Sequence, residues 1–275
     1  MRGPDPDPDP QATADLALLV QAAEEAGRIA MRFWRQSPES WDKGGGAGPV
    51  SEADLAVNDH LARVLRGARP GYGWLSEESE QEPSRLDAER VFIVDPIDGT
   101  RAFIDGQQDF SHSLAVATGD RITAAVVHLP VHGRTYAAGA DGPALLDGQP
   151  IAPSDAGAIE GATILSARAS LKPELWRGGQ LPGFRREFRS SLAYRLCLVA
   201  EGRFDGALSL HPVWEWDIAA GALIAARAGC TVSDRHGGRM RFNSAGAVVD
   251  GLVVSGAALH GQIIGALADG TRGTR

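Results

Sequence analysis

Apolar positions along the chain recur first at helical spacing. Leu16, Leu19, Val20, Ala23, Ala26, Gly27 and Ala30 share one face of a helix predicted over 15–35. The Gly-rich stretch 41–49 reads as a loop, and Ser51 can cap a second helix running to about Arg69. Short apolar runs follow. Strands are expected near 73–75 and 91–94, and 111–117, 122–129 and 134–138 read as an antiparallel meander with Gly119-Asp120 at one turn. A turn-rich stretch from Gly142 to Ala158 leads into a second half, with strands expected at 163–166, 206–210 and 252–254 and helices at 191–201, 218–228 and 257–268. There is no internal repeat. The chain therefore divides into a tail (1–11), a first half (12–150) of α then β character, and a second, α/β half (151–275).

Composition supports a real core: 275 residues, 43% of them hydrophobic, suffice for one large or two modest domains. A net charge of -8, from 27 basic and 35 acidic residues, argues against a nucleic-acid or membrane-surface binder. No apolar run is long enough to span a bilayer. The first ten residues repeat Pro and Asp without an apolar stretch, so they read as a disordered acidic tail rather than a secretory signal. Cys197 and Cys230 both lie in apolar segments and read as reduced core thiols, which makes the cytoplasm the expected location.

The chemistry concentrates in Val91-Phe92-Ile93-Val94-Asp95-Pro96-Ile97-Asp98-Gly99-Thr100. Four apolar residues read as a buried strand that stops at Asp95-Pro96, where Pro and Gly mark a turn. Asp95 and Asp98 then sit three residues apart in that turn. A hard cation such as Mg²⁺ takes oxygen ligands, usually one or two carboxylates with phosphate and water. Gly99 lets a backbone N–H approach an anion, and Thr100 adds a hydroxyl. Two readings stay open on these residues alone, a metal-phosphate site and a plain Asp-rich turn.

Two further segments carry acids: Gly73-Trp74-Leu75-Ser76-Glu77-Glu78, and Trp216-Asp217-Ile218-Ala219-Ala220-Gly221. With Asp95-Pro96-Ile97-Asp98-Gly99-Thr100 between them, the chain resembles the inositol monophosphatase superfamily of Mg²⁺-dependent phosphomonoesterases, whose signatures are G-x-x-x-E-E, D-P-[IL]-D-G-T and W-D-x-A-A-G in this order. The likeness covers nearly everything from Leu16 to Leu267. It implies an α/β fold, the layered α-β-α-β-α sandwich of the sugar phosphatases.

The resemblance also implies a site. Glu77, Asp95 and the carbonyl of Ile97 would hold one Mg²⁺, and Asp95, Asp98 and Asp217 a second. Asp54 would help with a third, weaker one; Ser51 stands where the family usually has Thr before it. Thr100 and Glu77 would activate the attacking water, Asp98 lies between metal and phosphate, and the N–H groups of Gly99 and Thr100 would meet phosphate oxygens. Lys43 matches a basic residue of a mobile loop, although a solvated loop lysine is an equal reading. Glu78 is open between supporting a ligand and a structural role. Asp105 and Asp109 match no motif and read as loop residues.

Resemblance also frames the substrate. Leu75-Ser76-Glu77-Glu78 is similar to the bacterial 3′(2′),5′-bisphosphate nucleotidases (CysQ-like), and Arg195, in the helix that sets specificity, falls where those enzymes carry Lys and could meet a second phosphate. Glu215-Trp216-Asp217 departs from the H-x-W-D of inositol enzymes, whereas Arg101-Ala102-Phe103 is shared with histidinol phosphate phosphatases. The expected substrate is 3′-phosphoadenosine 5′-phosphate, bound by Arg195 and Asp217 as well as Gly99 and Thr100. Inositol 1-phosphate is the alternative, followed by histidinol phosphate and by a non-catalytic binding member of the family. Lithium sensitivity is a further implication, and monomer and homodimer both occur among such proteins.

Overall fold

The computed structural model describes residues 9–45 and 48–268. The first half begins with α1 (Pro10–Phe33), a two-stranded ribbon of β1 (Ser40–Asp42) and β2 (Pro49–Ser51), and α2 (Glu52–Ala68). It continues through β3 (Gly73–Ser76), β4 (Arg90–Asp98), the single turn α3 (Thr100–Ile104), β5 (Ser111–Thr118), β6 (Arg121–Leu129), β7 (Arg134–Gly139), β8 (Leu145–Leu146) and β9 (Gln149–Pro150). The second half contains β10 (Thr163–Ser166), β11 (Arg185–Glu187), α4 (Leu192–Ala200), β12 (Gly206–Ser209), β13 (Val213–Trp214), α5 (Glu215–Ala228), β14 (Thr231–Ser233), β15 (Val248–Val249), β16 (Leu252–Ser255) and α6 (Ala257–Ala266).

Seven strands, β3 to β9, form one sheet in chain order, antiparallel except for β3 beside β4. A second sheet has the order β11-β10-β12-β16-β14. Helices α1 and α2 cover one face of the large sheet around Leu19, Leu61, Phe92 and Val126. Helices α4 and α5 lie between the sheets, where Leu196, Ile218 and Ile224 join Ile93, Val127 and Val254 in one core. Helix α6 closes the outer face through Leu259 and Ile263. The result is the expected five-layer α-β-α-β-α arrangement. Because the middle layer comes from the second half and packs on the first half's sheet, the two halves share their largest core.

Several elements differ from expectation. Helix α1 starts at Pro10 rather than at Asp15: Pro is preorganised for the first helical position, and the Asp9 side chain accepts from Gln11 N at 2.9 Å. Pro10 and Gln11, expected in the tail, are thus helical, and Asp9 also pairs with Arg90 at 2.7 Å; the rest of the expected tail, residues 1–8, lies outside the described residues. Asp15, on the buried face of α1, is fully buried and accepts from Arg69, Tyr72 and Gln11, each at 2.9 Å. Strand β4 does not stop at Asp95-Pro96 but runs to Asp98 through a bulge. Cys197 and Cys230 are buried and unpaired. No helix among the described residues is long and apolar enough to cross a membrane.

Candidate active site

The bulge in β4 aims the two aspartates. Asp95 pairs with Ser113 and Asp98 with Ser111, so three steps on β4 match two on β5. Alternate residues of a strand share a face. Residues three apart would ordinarily point to opposite faces, but the extra residue brings Asp95 and Asp98 to the same one. Pro96 is tolerated because the bulge lies outside the regular ladder. Gly99 follows in the left-handed region (φ 96°) and turns the chain into α3.

Two neighbouring elements complete the cluster. The parallel register Ser76 with Val94 brings Glu77 beside Asp95. Asp217 comes from the first turn of α5, a favourable end of a helix for an anion, and Ser113 Oγ anchors that turn by donating to the Trp216 carbonyl at 2.9 Å. Carboxylate oxygens of Glu77, Asp95 and Asp217 consequently lie within 4.8 Å of one another. Burial, reinforced by the neighbouring carboxylates, raises all three from their ordinary values, Asp95 and Asp217 well above. Asp95 Oδ1 is buried and has no hydrogen-bond partner among the described residues. Crowded carboxylates with an unsatisfied buried oxygen fit a hard divalent cation, and Glu77, Asp95 and Asp217 are the residues that would hold it.

Asp98 is turned differently. Its Oδ2 accepts from Ser191 Oγ and from Ala193 N, each at 2.7 Å, so the first turn of α4 grips it. It lines the cavity beside the three clustered acids, as do Ile97, Gly99 and Thr100. Asp54 is buried and does not line that cavity. Its Oδ2 accepts from Ser51 N at 2.9 Å and Ser51 Oγ at 2.6 Å, and its Oδ1 from Thr100 Oγ1 at 3.0 Å. Burial pushes its pKa up to about 6. Asp54 thus closes the capping box of α2 and orients Thr100.

Lys43 lies across the acids, 2.7 Å from Glu77 and 2.8 Å from Glu78. Burial alone would lower its pKa; the two ion pairs reverse this and raise it. Glu78 therefore shares the lysine that Glu77 holds.

The structure does not bring Arg195 to the cavity. Its Nε donates to the Arg189 carbonyl at 2.5 Å, Nη2 lies 3.3 Å from the Ser190 carbonyl, and the guanidinium stacks 4.4 Å from the Phe188 ring centre. Helical spacing in α4 points it under segment 188–190, which it braces. The cations that line the 730 Å³ cavity are Arg101 and Arg189, together with Phe188, Gln107, Asp105 and Asp109. No motif surrounds Arg189 in the sequence, and Asp105 and Asp109, which read there as loop residues, stand on the same cavity wall. Glu215, whose motif context suggested a link to specificity, is fully buried, and accepts from Asn243 N at 2.6 Å, Ser244 N at 2.9 Å and Ser244 Oγ at 2.6 Å. Its role is to fasten a distant turn.

Comparison with known proteins agrees with this geometry. Residues 12–271 match the inositol monophosphatase family. An inositol-1-monophosphatase of Rhizobium meliloti is 34% identical over 258 residues, covering 87% of this chain and 92% of the relative. A 3′-phosphoadenosine 5′-phosphate phosphatase of Mycobacterium bovis is 31% identical over 232 residues, 80% of this chain and 82% of that protein. Among solved structures, the extragenic suppressor protein suhB of Bartonella henselae superposes with a TM-score of 0.80 at 28% identity, covering 94% of this chain and 100% of the other.

Proposed function

Since the chain belongs to the inositol monophosphatase family, we propose that it is a metal-dependent phosphatase whose substrate carries a second phosphate, with 3′-phosphoadenosine 5′-phosphate as first candidate and AMP and phosphate as products. The observation that carries the phosphatase reading is the trio Glu77, Asp95 and Asp217, crowded within 4.8 Å around an unsatisfied oxygen. Mg²⁺ held there, as two ions with Asp98 and the Ile97 carbonyl, would supply a more acidic attacking water and neutralise phosphate charge, whereas Asp54, engaged by Ser51 and Thr100 and off the cavity wall, is poorly placed for a third. Thr100 donates to Asp54 Oδ1, which leaves its oxygen free to accept from that water. Glu77, on the same cavity wall, is the base that would take the proton, and Gly99 and Thr100, which line that wall, would offer their N–H groups to the phosphate.

The preference for a bisphosphate rests on Arg101 and Arg189 at the cavity wall. Arg189 Nη1 donates to the Phe188 carbonyl at 2.7 Å, but its acidic neighbours stand 3.6 Å (Asp109) and 3.9 Å (Glu187) away, too far for hydrogen bonds, so no close carboxylate neutralises the guanidinium and its other N–H groups can meet a phosphate. Phe188, 45% exposed beside it, offers a flat apolar face to a base. Inositol 1-phosphate is the second reading, favoured by Asp105, Asp109 and Gln107, which could accept from or donate to ring hydroxyls. Histidinol phosphate ranks below both, and a non-catalytic role would fit poorly with a complete set of acids.

A phosphate-release assay with Mg²⁺ on these three substrates tests both levels. Turnover of the bisphosphate nucleotide with kcat/KM at least tenfold above inositol 1-phosphate is expected. The reverse order would overturn the substrate assignment, and no release from any of them would overturn the phosphatase reading.

A further inference from the structure

The bulge that aims Asp95 and Asp98 leaves a backbone group to be satisfied. Where two β4 residues, Pro96 and Ile97, face one residue of β5, the regular ladder is interrupted. The one residue is His112. Its neighbours Ser111 and Ser113 point to the middle helix layer, where Ser111 meets Ser191 and Ser113 bonds Trp216. His112 therefore points to the other face, beneath α1. It is fully buried, and its Nδ1 makes a short hydrogen bond to the Pro96 carbonyl. A carbonyl can only accept, so Nδ1 carries the proton. The ring stacks on His128, centroids 6.2 Å apart at 16°, and packs edge-on to Phe110. Its Nε2 is buried without a partner among the described residues. A polar ring held at that cost, with a single hydrogen bond, must owe its place to that bond.

We propose that His112 is a positioning residue of the acidic turn: through the Pro96 carbonyl it fixes the bulge, and so the relative placement of Asp95 and Asp98 above it. His112 touches neither substrate nor cation; it acts through the backbone between two cavity acids. This rests on the reading that those acids hold a divalent cation, and the test separates the two ideas.

Mg²⁺ alone, without substrate, is titrated while thermal unfolding of the full chain is followed, and phosphate release is measured in parallel. His112→Val removes the donor and keeps a residue suited to a strand. His112→Asn keeps a donor near the Nδ1 position, whereas His112→Gln moves it one carbon outward. The midpoint for stabilisation by Mg²⁺ should rise at least tenfold in His112→Val and His112→Gln, with kcat/KM falling ten- to a hundredfold, and His112→Asn should restore both to within about threefold of the starting protein. If His112→Val does not fold, the contrast between Asn and Gln decides. Lowered stability with an unchanged Mg²⁺ midpoint, or equal behaviour of Asn and Gln, would reduce His112 to a packing residue. Absence of any Mg²⁺ stabilisation in the unmodified protein would instead overturn the cation reading, and with it the premise.

Discussion

Replacing Asp217 by asparagine should make the cation-free protein more stable while removing its response to Mg²⁺. Oxygens of Glu77, Asp95 and Asp217 lie within 4.8 Å of one another, and two unit charges at that separation repel by roughly 3.5 kcal/mol at an effective dielectric near 20. Burial and this repulsion raise the folded-state pKa values of all three acids, so the cation-free cluster holds a proton. Holding that proton costs about 1.4 kcal/mol per pH unit above the carboxyl's unfolded pKa, until the raised folded pKa is reached. An amide needs no such proton and can donate to Asp95 directly. The gain in the variant should thus be about 1–3 kcal/mol at pH 8, or roughly 2–12 °C in melting temperature for a chain of this size. The sign follows from linkage. Groups with raised folded pKa values stabilise fully below their unfolded pKa and lose that contribution as pH rises. The advantage of the variant in EDTA should therefore vanish near pH 4 and grow towards pH 8. Saturating Mg²⁺ should reverse the ranking, because only the unmodified cluster binds it tightly. A variant no more stable in EDTA at pH 8, or an advantage undiminished at pH 4, would refute the picture of a charge-crowded cluster.

Other substitutions probe individual contacts. Thr100→Val removes the donor to Asp54 Oδ1 and should lower kcat roughly a hundredfold with a small loss of melting temperature; normal turnover would take Thr100 out of the site. Arg195→Ala should cost about 1–3 kcal/mol of stability and impair nucleotide and inositol substrates equally, since it braces segment 188–190 rather than facing substrate. Arg189→Ala should reduce kcat/KM for 3′-phosphoadenosine 5′-phosphate about ten- to a hundredfold and spare inositol 1-phosphate; the opposite division between these two arginines would return Arg195 to the substrate. Gly99→Ala should destabilise by about 1–3 kcal/mol, because a Cβ at φ 96° would stand 3.2 Å from the Asp109 carbonyl oxygen and 3.4 Å from Ser191 N, and an unshifted melting temperature would contradict that backbone conformation.

The elements easiest to read in the sequence were those with local signals. Helix α2 has its Ser51 cap, the meander its alternation and its Gly119-Asp120 turn, and the acidic motifs mark the strand end and helix start from which Glu77, Asp95 and Asp217 converge. What escaped depends on partners distant in the chain. Arg195 has the charge expected of a phosphate ligand, but which side of α4 meets the cavity is set by how that helix docks between two sheets. Glu215 was illegible as a structural residue because its partners, Asn243 and Ser244, arrive from a turn nearly thirty residues later. Asp15 sits among apolar positions of α1 and is satisfied by Arg69 and Tyr72. The bulge is hidden for a similar reason, since Asp95-Pro96 reads locally as a stop and only pairing with β5 carries the strand onward.

The middle helix layer gives the cluster a mechanical meaning. Asp95 belongs to the large sheet, whereas Asp217 rides on a helix contributed by the second half of the chain, so an ion between them would act as a removable cross-link closing a loop of very large contour length. Closing such a loop restricts the unfolded ensemble strongly, in the manner of a long-range disulfide but under the control of free cation concentration. Chelation would then loosen the junction between the two sheets before either sheet melts. Amide exchange should show it first in the opening turn of α5, far from the ends of the chain where fraying ordinarily begins.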